Sequence, residues 1–299
     1  RRVKLHAQSP LVGLLNALDL SRRSRSWFHQ DVLAQPASIN TGAMWENFHG
    51  TAPTVIAVLD TGVLPSHPML QGHLLPGYDF VSDPLIAADG QSTGATDRDS
   101  DPSDPGDGVT PADALADPGC SGLSQSSWHG TFVSSLVGGN PIASEGIFSV
   151  NWNAAILPVR VLGKCGGFSS DLADAIRWAA GLGVPGAPAN PFPAKVINLS
   201  LGAEGECVGA IEGAAVAAAR QAGALVVVAS GNDGGSVDSP ANCNNVLSVG
   251  ALDRDGSRAS YSAIGSAISL MAPGGFSNGL VGLGNSGTTT PTSASLVSK

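Results

Sequence analysis

The sequence predicts an α/β fold in which a mainly parallel sheet is covered by helices on both faces. Three observations carry that expectation. Six runs rich in Val, Ile, Leu and Ala, at 55–59, 155–162, 195–201, 224–229, 246–251 and 267–272, have strand length and stay apolar instead of alternating. Between several of them lie helical patterns: Leu172, Ala175, Ile176, Ala179 and Ala180 recur at helical spacing within 170–181, with Ser170 as the expected N-cap and Asp171 in the first turn. Ile211, Ala214, Ala215, Ala218 and Ala219 repeat that spacing, and Gly223 follows as a stop. Strands that are apolar on both faces need cover on both, which is what parallel crossovers supply. In such a sheet, reactive groups gather at the carboxyl ends of the strands.

Composition narrows the function classes. The 299 residues allow one large domain or two small ones, and the pattern reads as one, with an irregular insertion at about 82–127 rich in Asp, Pro and Gly. Apolar residues make up 42% and charged residues 13%, against about 25% charged in an average soluble chain, which excludes an acidic disordered polymer and a coiled coil. The 39 glycines and 20 prolines show no period and indicate tight turns. The longest purely apolar run, 224–229, is far shorter than the ~20 residues of a membrane-spanning helix. With a formal charge of −9 and no basic cluster beyond Arg22, Arg23 and Arg25, a nucleic-acid partner is not expected. Cys120, Cys165, Cys207 and Cys243 form no C-x-x-C pair, so two disulfides and an oxidising compartment are expected in place of a zinc ribbon. The chain opens Arg1-Arg2, and the weakly apolar stretch 11–20 is broken by Asn16 and Asp19, so residues 1–26 are expected to be a propeptide remnant or N-terminal extension ahead of a domain at 27–299.

Several residues can carry chemistry. Val55 to Leu59 run straight into Asp60-Thr61-Gly62, placing a carboxylate at the tip of a buried strand, where it either accepts hydrogen bonds from its own turn or pairs with another group. An aspartic protease uses the same tripeptide but needs two carboxylates sharing a proton, and the chain has one copy among alternating helices. His129 heads a short helix, with Gly130 permitting close approach of another segment; it is either a surface residue or a proton-transfer group. Asn232 follows Ser230-Gly231 at the end of another strand, where its amide either makes the turn or donates to a developing oxyanion. Asn198-Leu199-Ser200-Leu201-Gly202 can offer an unpaired edge to an extended peptide. Asp97, Asp99, Asp101, Asp104 and Asp107 place five carboxylates within eleven residues, which reads either as a solvated acidic loop or as a calcium site; Pro102 and Gly108 stand where an EF-hand needs Gly and Glu.

Taken together, these segments resemble the subtilisin-like serine peptidases, above all the secreted bacterial enzymes with a long acidic insertion between the first two catalytic segments. Val58-Leu59-Asp60-Thr61-Gly62-Val63 with His67-Pro68 matches the Asp segment, and Trp128-His129-Gly130-Thr131 the His segment. Asn198 to Gly202 resembles the substrate strand, Ser230-Gly231-Asn232 the oxyanion segment, and Met271-Ala272-Pro273-Gly274-Gly275 the strand end ahead of the serine. The resemblance spans about 27–295 and implies a three-layer α/β/α fold. It also implies secretion with periplasmic transit, extended peptide substrates, a propeptide partner and no catalytic cofactor beyond a structural calcium ion. By it, His129 takes the serine proton and Asp60 holds the imidazole, in the subtilisin order Asp, His, Ser. Asn232 stabilises the oxyanion, and Ser200, Leu201, Gly202, Ser230 and Gly231 contact substrate. The resemblance further implies the pairings Cys120–Cys165 and Cys207–Cys243, the second joining two loops at one sheet edge.

The chain departs from the pattern at the nucleophile, because no Gly-Thr-Ser occurs in it. Gly287-Thr288-Thr289 has Thr in the serine position, and Ser293 follows Pro291-Thr292. Residues 287–295 are therefore expected to be a loop just short of the nucleophile, with the serine beyond Lys299 and Ser293 second. A chain without that serine should not hydrolyse peptides and should leave an apolar trough. The rival reading is a non-catalytic peptide-binding scaffold. A nucleotide-binding domain is disfavoured because no Gly-rich phosphate loop follows the first strand.

Overall fold

The computed structural model describes residues 27–41, 44, 53–90, 96–117, 119–120, 122–139, 149–207, 211–275 and 279–299. Residues 1–26, expected as a propeptide remnant or extension, lie outside the described residues. All six expected strands form: β1 (Val55–Asp60), β3 (Ala155–Arg160), β4 (Val196–Leu199), β5 (Leu225–Ala229), β6 (Val246–Leu252) and β7 (Leu270–Pro273). A two-residue strand, β2 (Tyr78–Asp79), joins them in one seven-stranded parallel sheet of order β2-β3-β1-β4-β5-β6-β7.

The helices are α1 (Pro84–Ala87), α2 (Pro111–Ala116), α3 (His129–Val137), α4 (Ser169–Ala179) and α5 (Ile211–Gln221). Alternate residues of the central strands serve opposite cores. Ala57, Leu59, Leu157 and Val159 pack with Ile176 of α4 and Val216 of α5, whereas Val58 and Ile156 pack with Phe132 and Val133 of α3. The result is the three-layer α/β/α arrangement. Its winding reverses at β1, with β3 on one side and β4 on the other, so right-handed crossovers carry α3 and α4 over opposite faces. That reversal opens a crevice at the carboxyl end of β1.

Three sequence expectations need correction. The N-cap of α4 is Phe168, with no side-chain capping bond, and Ser170 lies inside the helix. Asp171 is instead recruited by the insertion, accepting from the Ser82 N–H and hydroxyl and pairing with Arg98. The buried stripe of α5 is Glu212, Ala215, Val216 and Ala219, which keeps Ala215 and Ala219 of the expected face but replaces Ile211, Ala214 and Ala218 by Glu212 and Val216; Ile211 is 51% exposed and Val216 is in the core. Residues 287–295, read as a loop, form the turn of an antiparallel hairpin over 287–293 and then enter its second strand, β8 (Val281–Asn285) pairing with β9 (Ala294–Ser298). Within the insertion, Thr110 and Asp113 form a reciprocal capping box on α2.

Both expected disulfides are present, each with a Cα separation of 5.0 Å. By loop-closure entropy each bridge restricts the unfolded chain by about 4 kcal/mol. At the edge of the sheet Arg160 is buried, its Nη1 held by Asp79 Oδ2 at 2.6 Å and Asp89 Oδ2 at 3.0 Å, and its Nη2 by the Ala87 carbonyl. Removing the guanidinium strands two carboxylates, so Arg160→Met should cost about 3–5 kcal/mol in urea denaturation. An unchanged midpoint would show that the cluster does not stabilise the fold.

His67 is buried and its Nδ1 has no hydrogen-bond partner among the described residues. Burial lowers its pKa from the ordinary value. The unfolded chain then binds the proton more readily, so this contribution to stability is present above ~6.5, the ordinary histidine pKa, and is lost as pH falls through the folded value. The thermal midpoint of the parent should drop more between neutral pH and pH 5 than that of His67→Leu. Parallel curves for the two proteins would refute this linkage.

Candidate active site

Asp60 ends β1 with no exposed surface, and its Oδ1 accepts the Thr61 N–H at 2.8 Å. His129 opens α3 and brings Nδ1 to 2.8 Å and 3.0 Å from the two oxygens of that carboxylate. Its side chain is 32% exposed. No described residue hydrogen-bonds Nε2, the other ring nitrogen. A carboxylate fixed on Nδ1 selects the tautomer in which Nε2 is free to accept a proton.

The close approach depends on Gly130. A Cβ there would stand 2.0 Å from the Gly62 carbonyl oxygen, so only glycine lets α3 meet the turn after β1. The Gly130 N–H donates to Thr61 Oγ1 at 3.0 Å, and the Leu64 N–H donates to Thr131 Oγ1 at 2.9 Å, fastening the helix to the turn on both sides. Trp128, just before the histidine, has φ 51° and donates from its indole to the Gly287 carbonyl at 2.9 Å.

The acidic run supports this arrangement in parts. Asp104 Oδ2 accepts the Thr61 hydroxyl at 2.8 Å, and burial pushes the Asp104 carboxyl up to about 6. Asp107 accepts the backbone N–H and hydroxyl of Ser127, whose oxygen in turn accepts the His129 N–H at 3.2 Å. Asp99 and Asp101 each accept the N–H two residues on, and the Asp97 N–H donates to the Ser82 carbonyl. The carboxylates of Asp99, Asp101, Asp104 and Asp107 are thus engaged at separate points. Among the described residues no group of three or more His, Cys, Asp or Glu side chains is placed to hold a metal ion.

A cleft of about 880 Å³ runs past His129, between Ser200, Leu201 and Gly202 on one side and residues 165–169 on the other. The β4 ladder ends at Leu199, and no backbone hydrogen bond joins Ser200, Leu201 or Gly202 to another described residue. The Asn198 amide donates to Ser200 Oγ at 3.0 Å. Cys165 lines the cleft, so the bridge to Cys120 fixes that wall to the insertion.

Asn232 lies in an adjoining trough of about 410 Å³. It shares this with Phe132 of α3, Gly274 and Gly275 after β7, and Lys299. Its amide is exposed and hydrogen-bonds no described residue. The preceding Gly231 has φ 115°, and a Cβ there would meet Asp238 Oδ2 at 2.5 Å. Lys299 Nζ donates to the Ser127 carbonyl at 2.6 Å, at the foot of α3. Ser293 sits in the exposed β8–β9 turn, its carbonyl accepting the Ser286 N–H. The structure therefore gathers Asp60, His129 and residues 200–202 at one cleft, with Ser230, Gly231 and Asn232 at the neighbouring strand end. Thr61, Asp104 and Trp128, present in the sequence only as members of the Asp-Thr-Gly tripeptide, the acidic run and the Trp-His-Gly-Thr segment, complete the site together with Ser127, which carried no signal.

Comparison with known proteins agrees with this geometry. A model described as the subtilase family matches residues 51–298. An extracellular protease of Xanthomonas campestris is 44% identical over 264 residues, covering 88% of this chain and 43% of the relative. An extracellular basic protease of Dichelobacter nodosus is 37% identical over 245 residues, covering 79% and 38%. The chain thus spans about two fifths of the length of these curated relatives. A solved structure of proteases from Pseudoalteromonas arctica superposes with a TM-score of 0.82 at 40% identity, covering 92% of this chain and 79% of that one. On the match to most of its length and on the fold, the chain belongs to the subtilase family.

Proposed function

We propose that this chain belongs to a secreted serine endopeptidase in which His129 is the general base and acid, Asp60 its orienting carboxylate, and Asn232 an oxyanion donor. The observation that carries the reading is the buried Asp60 carboxylate on His129 Nδ1 at the mouth of an open cleft. A serine oxygen attacking a peptide carbonyl would give its proton to Nε2, and the ring would return it to the leaving amine. Asp60 stabilises the imidazolium between those steps. Residues 200–202 would pair with an extended substrate as an added strand. Secretion is supported by the extracellular relatives and by the two disulfides.

We place the nucleophile in a Gly-Thr-Ser that these 299 residues do not contain, and among the described residues no hydroxyl hydrogen-bonds His129 Nε2. The same observation favours a second reading, a peptide-binding scaffold without catalysis. A serine-directed phosphonate separates them. Labelling only in a form that carries an additional Gly-Thr-Ser supports the peptidase, labelling of Ser293 in the 299-residue chain overturns the placement of the nucleophile, and no labelling of any form selects the scaffold.

In the serine-bearing form, His129→Ala should bring peptide hydrolysis close to background and Asp60→Asn should lower kcat by about 10⁴, the loss known for the equivalent change in a Ser-His-Asp protease. Asn232→Ala should cost ~10²–10³ in kcat, the value for the corresponding donor of subtilisin itself, adopted here as the analogue. Gly130→Ala should reduce kcat while leaving peptide KM within about twofold, because it displaces α3 from the β1 turn without touching residues 200–202. Full activity in Gly130→Ala would show that the contact with Gly62 does not set the Asp60–His129 geometry.

A further inference from the structure

We propose that the cleft contains a subsite for a cationic side chain, lysine or arginine, of the bound peptide, formed by Glu204, Glu206 and Glu212; this rests on the peptide-binding reading of the cleft. All three line it, and its lining includes no lysine or arginine. Glu204 and Glu206 are exposed and make no ion pair with a described residue. Glu212 differs from them. It is only 7% exposed, and no hydrogen bond or ion pair joins its carboxylate to a described residue. A carboxylate on a largely buried side chain that has no partner of its own and lines the cleft is stabilised by a cation entering there.

The wall that bears these groups is preformed. The Cys207–Cys243 bridge closes the loop after β4, the Cys207 N–H donates to Asn242 Oδ1 at 3.1 Å, and Asn242 Nδ2 donates to the Gly205 carbonyl at 2.8 Å. Ala203 and Ser239 exchange backbone hydrogen bonds at 2.9 Å and 3.0 Å. A wall already fixed loses little entropy when a ligand arrives. Phe168 and Ile211, 46% and 51% exposed, line the same cleft and offer apolar surface to the methylene stem that carries an ammonium or guanidinium head. Among the described residues no group of acidic side chains is placed to hold a metal ion, which favours an organic cation over an inorganic one at this wall.

The test is binding, which needs no hydrolysis. A single lysine is walked through an otherwise neutral labelled peptide, and affinity for the 299-residue chain is read by fluorescence anisotropy, with glutamate at the same positions as the reference. One position should bind lysine about tenfold more tightly than glutamate. Raising salt to about 0.5 M should remove most of that difference. Glu212→Gln and the double variant Glu204→Gln/Glu206→Gln should each reduce it, whereas Asp255→Asn, at an exposed loop outside the cleft, should leave it unchanged. The exposed pair keeps the test valid should Glu212→Gln fail to fold. An equal lysine advantage at every position would mean general attraction to a chain of charge −9 and would overturn the subsite. Peptide binding without any charge preference would overturn the subsite alone, and failure to bind any peptide would overturn the peptide-binding reading together with it.

Discussion

The reversal of winding at β1 is the constraint on which the site depends. A parallel sheet wound in one direction covers its strand ends with successive crossovers. Here the chain goes from β1 to β3 on one side and returns to β4 on the other, so the crossovers leave opposite faces and the end of β1 stays open. Asp60 occupies that opening with its strand buried on both faces. A carboxylate there has little water available and is held by what the neighbouring segments bring: the Thr61 N–H, and the His129 ring carried in on α3. The dyad is therefore a product of topology as much as of residue identity.

Much of this was legible in the chain. A run of five apolar residues ending in Asp60 marks a buried strand with a polar tip, and that is where the structure places it. The strands follow from apolar-rich runs of strand length, and the core face of α4 from apolar residues at helical spacing. His129 was legible through its neighbours: Gly130, which allows the close approach, and Thr131, which receives the Leu64 N–H.

What escaped was decided by tertiary contacts. β2 is two residues long, too short for any period, and owes its place to pairing with Val159 and Arg160 of β3. β8 carries glycine at two of its five positions and takes Leu283 into the core beneath α3. The buried stripe of α5 exchanged Ile211, Ala214 and Ala218 for Glu212 and Val216, of which Val216 packs into the core. Charge density described the acidic run correctly, but not its use: Asp104 and Asp107 turn toward Thr61 and Ser127, contacts made across 43 and 20 residues of chain.

The Cys120–Cys165 bridge closes a covalent ring of chain around the whole of α3, with His129 inside it. A chain cut once between 121 and 164 but outside α3 would still be one molecule, with the histidine-bearing helix joined through the bridge to the insertion and to the cleft wall. In surroundings where other proteases act, such a nick would open a loop but would not release the segment that carries the base.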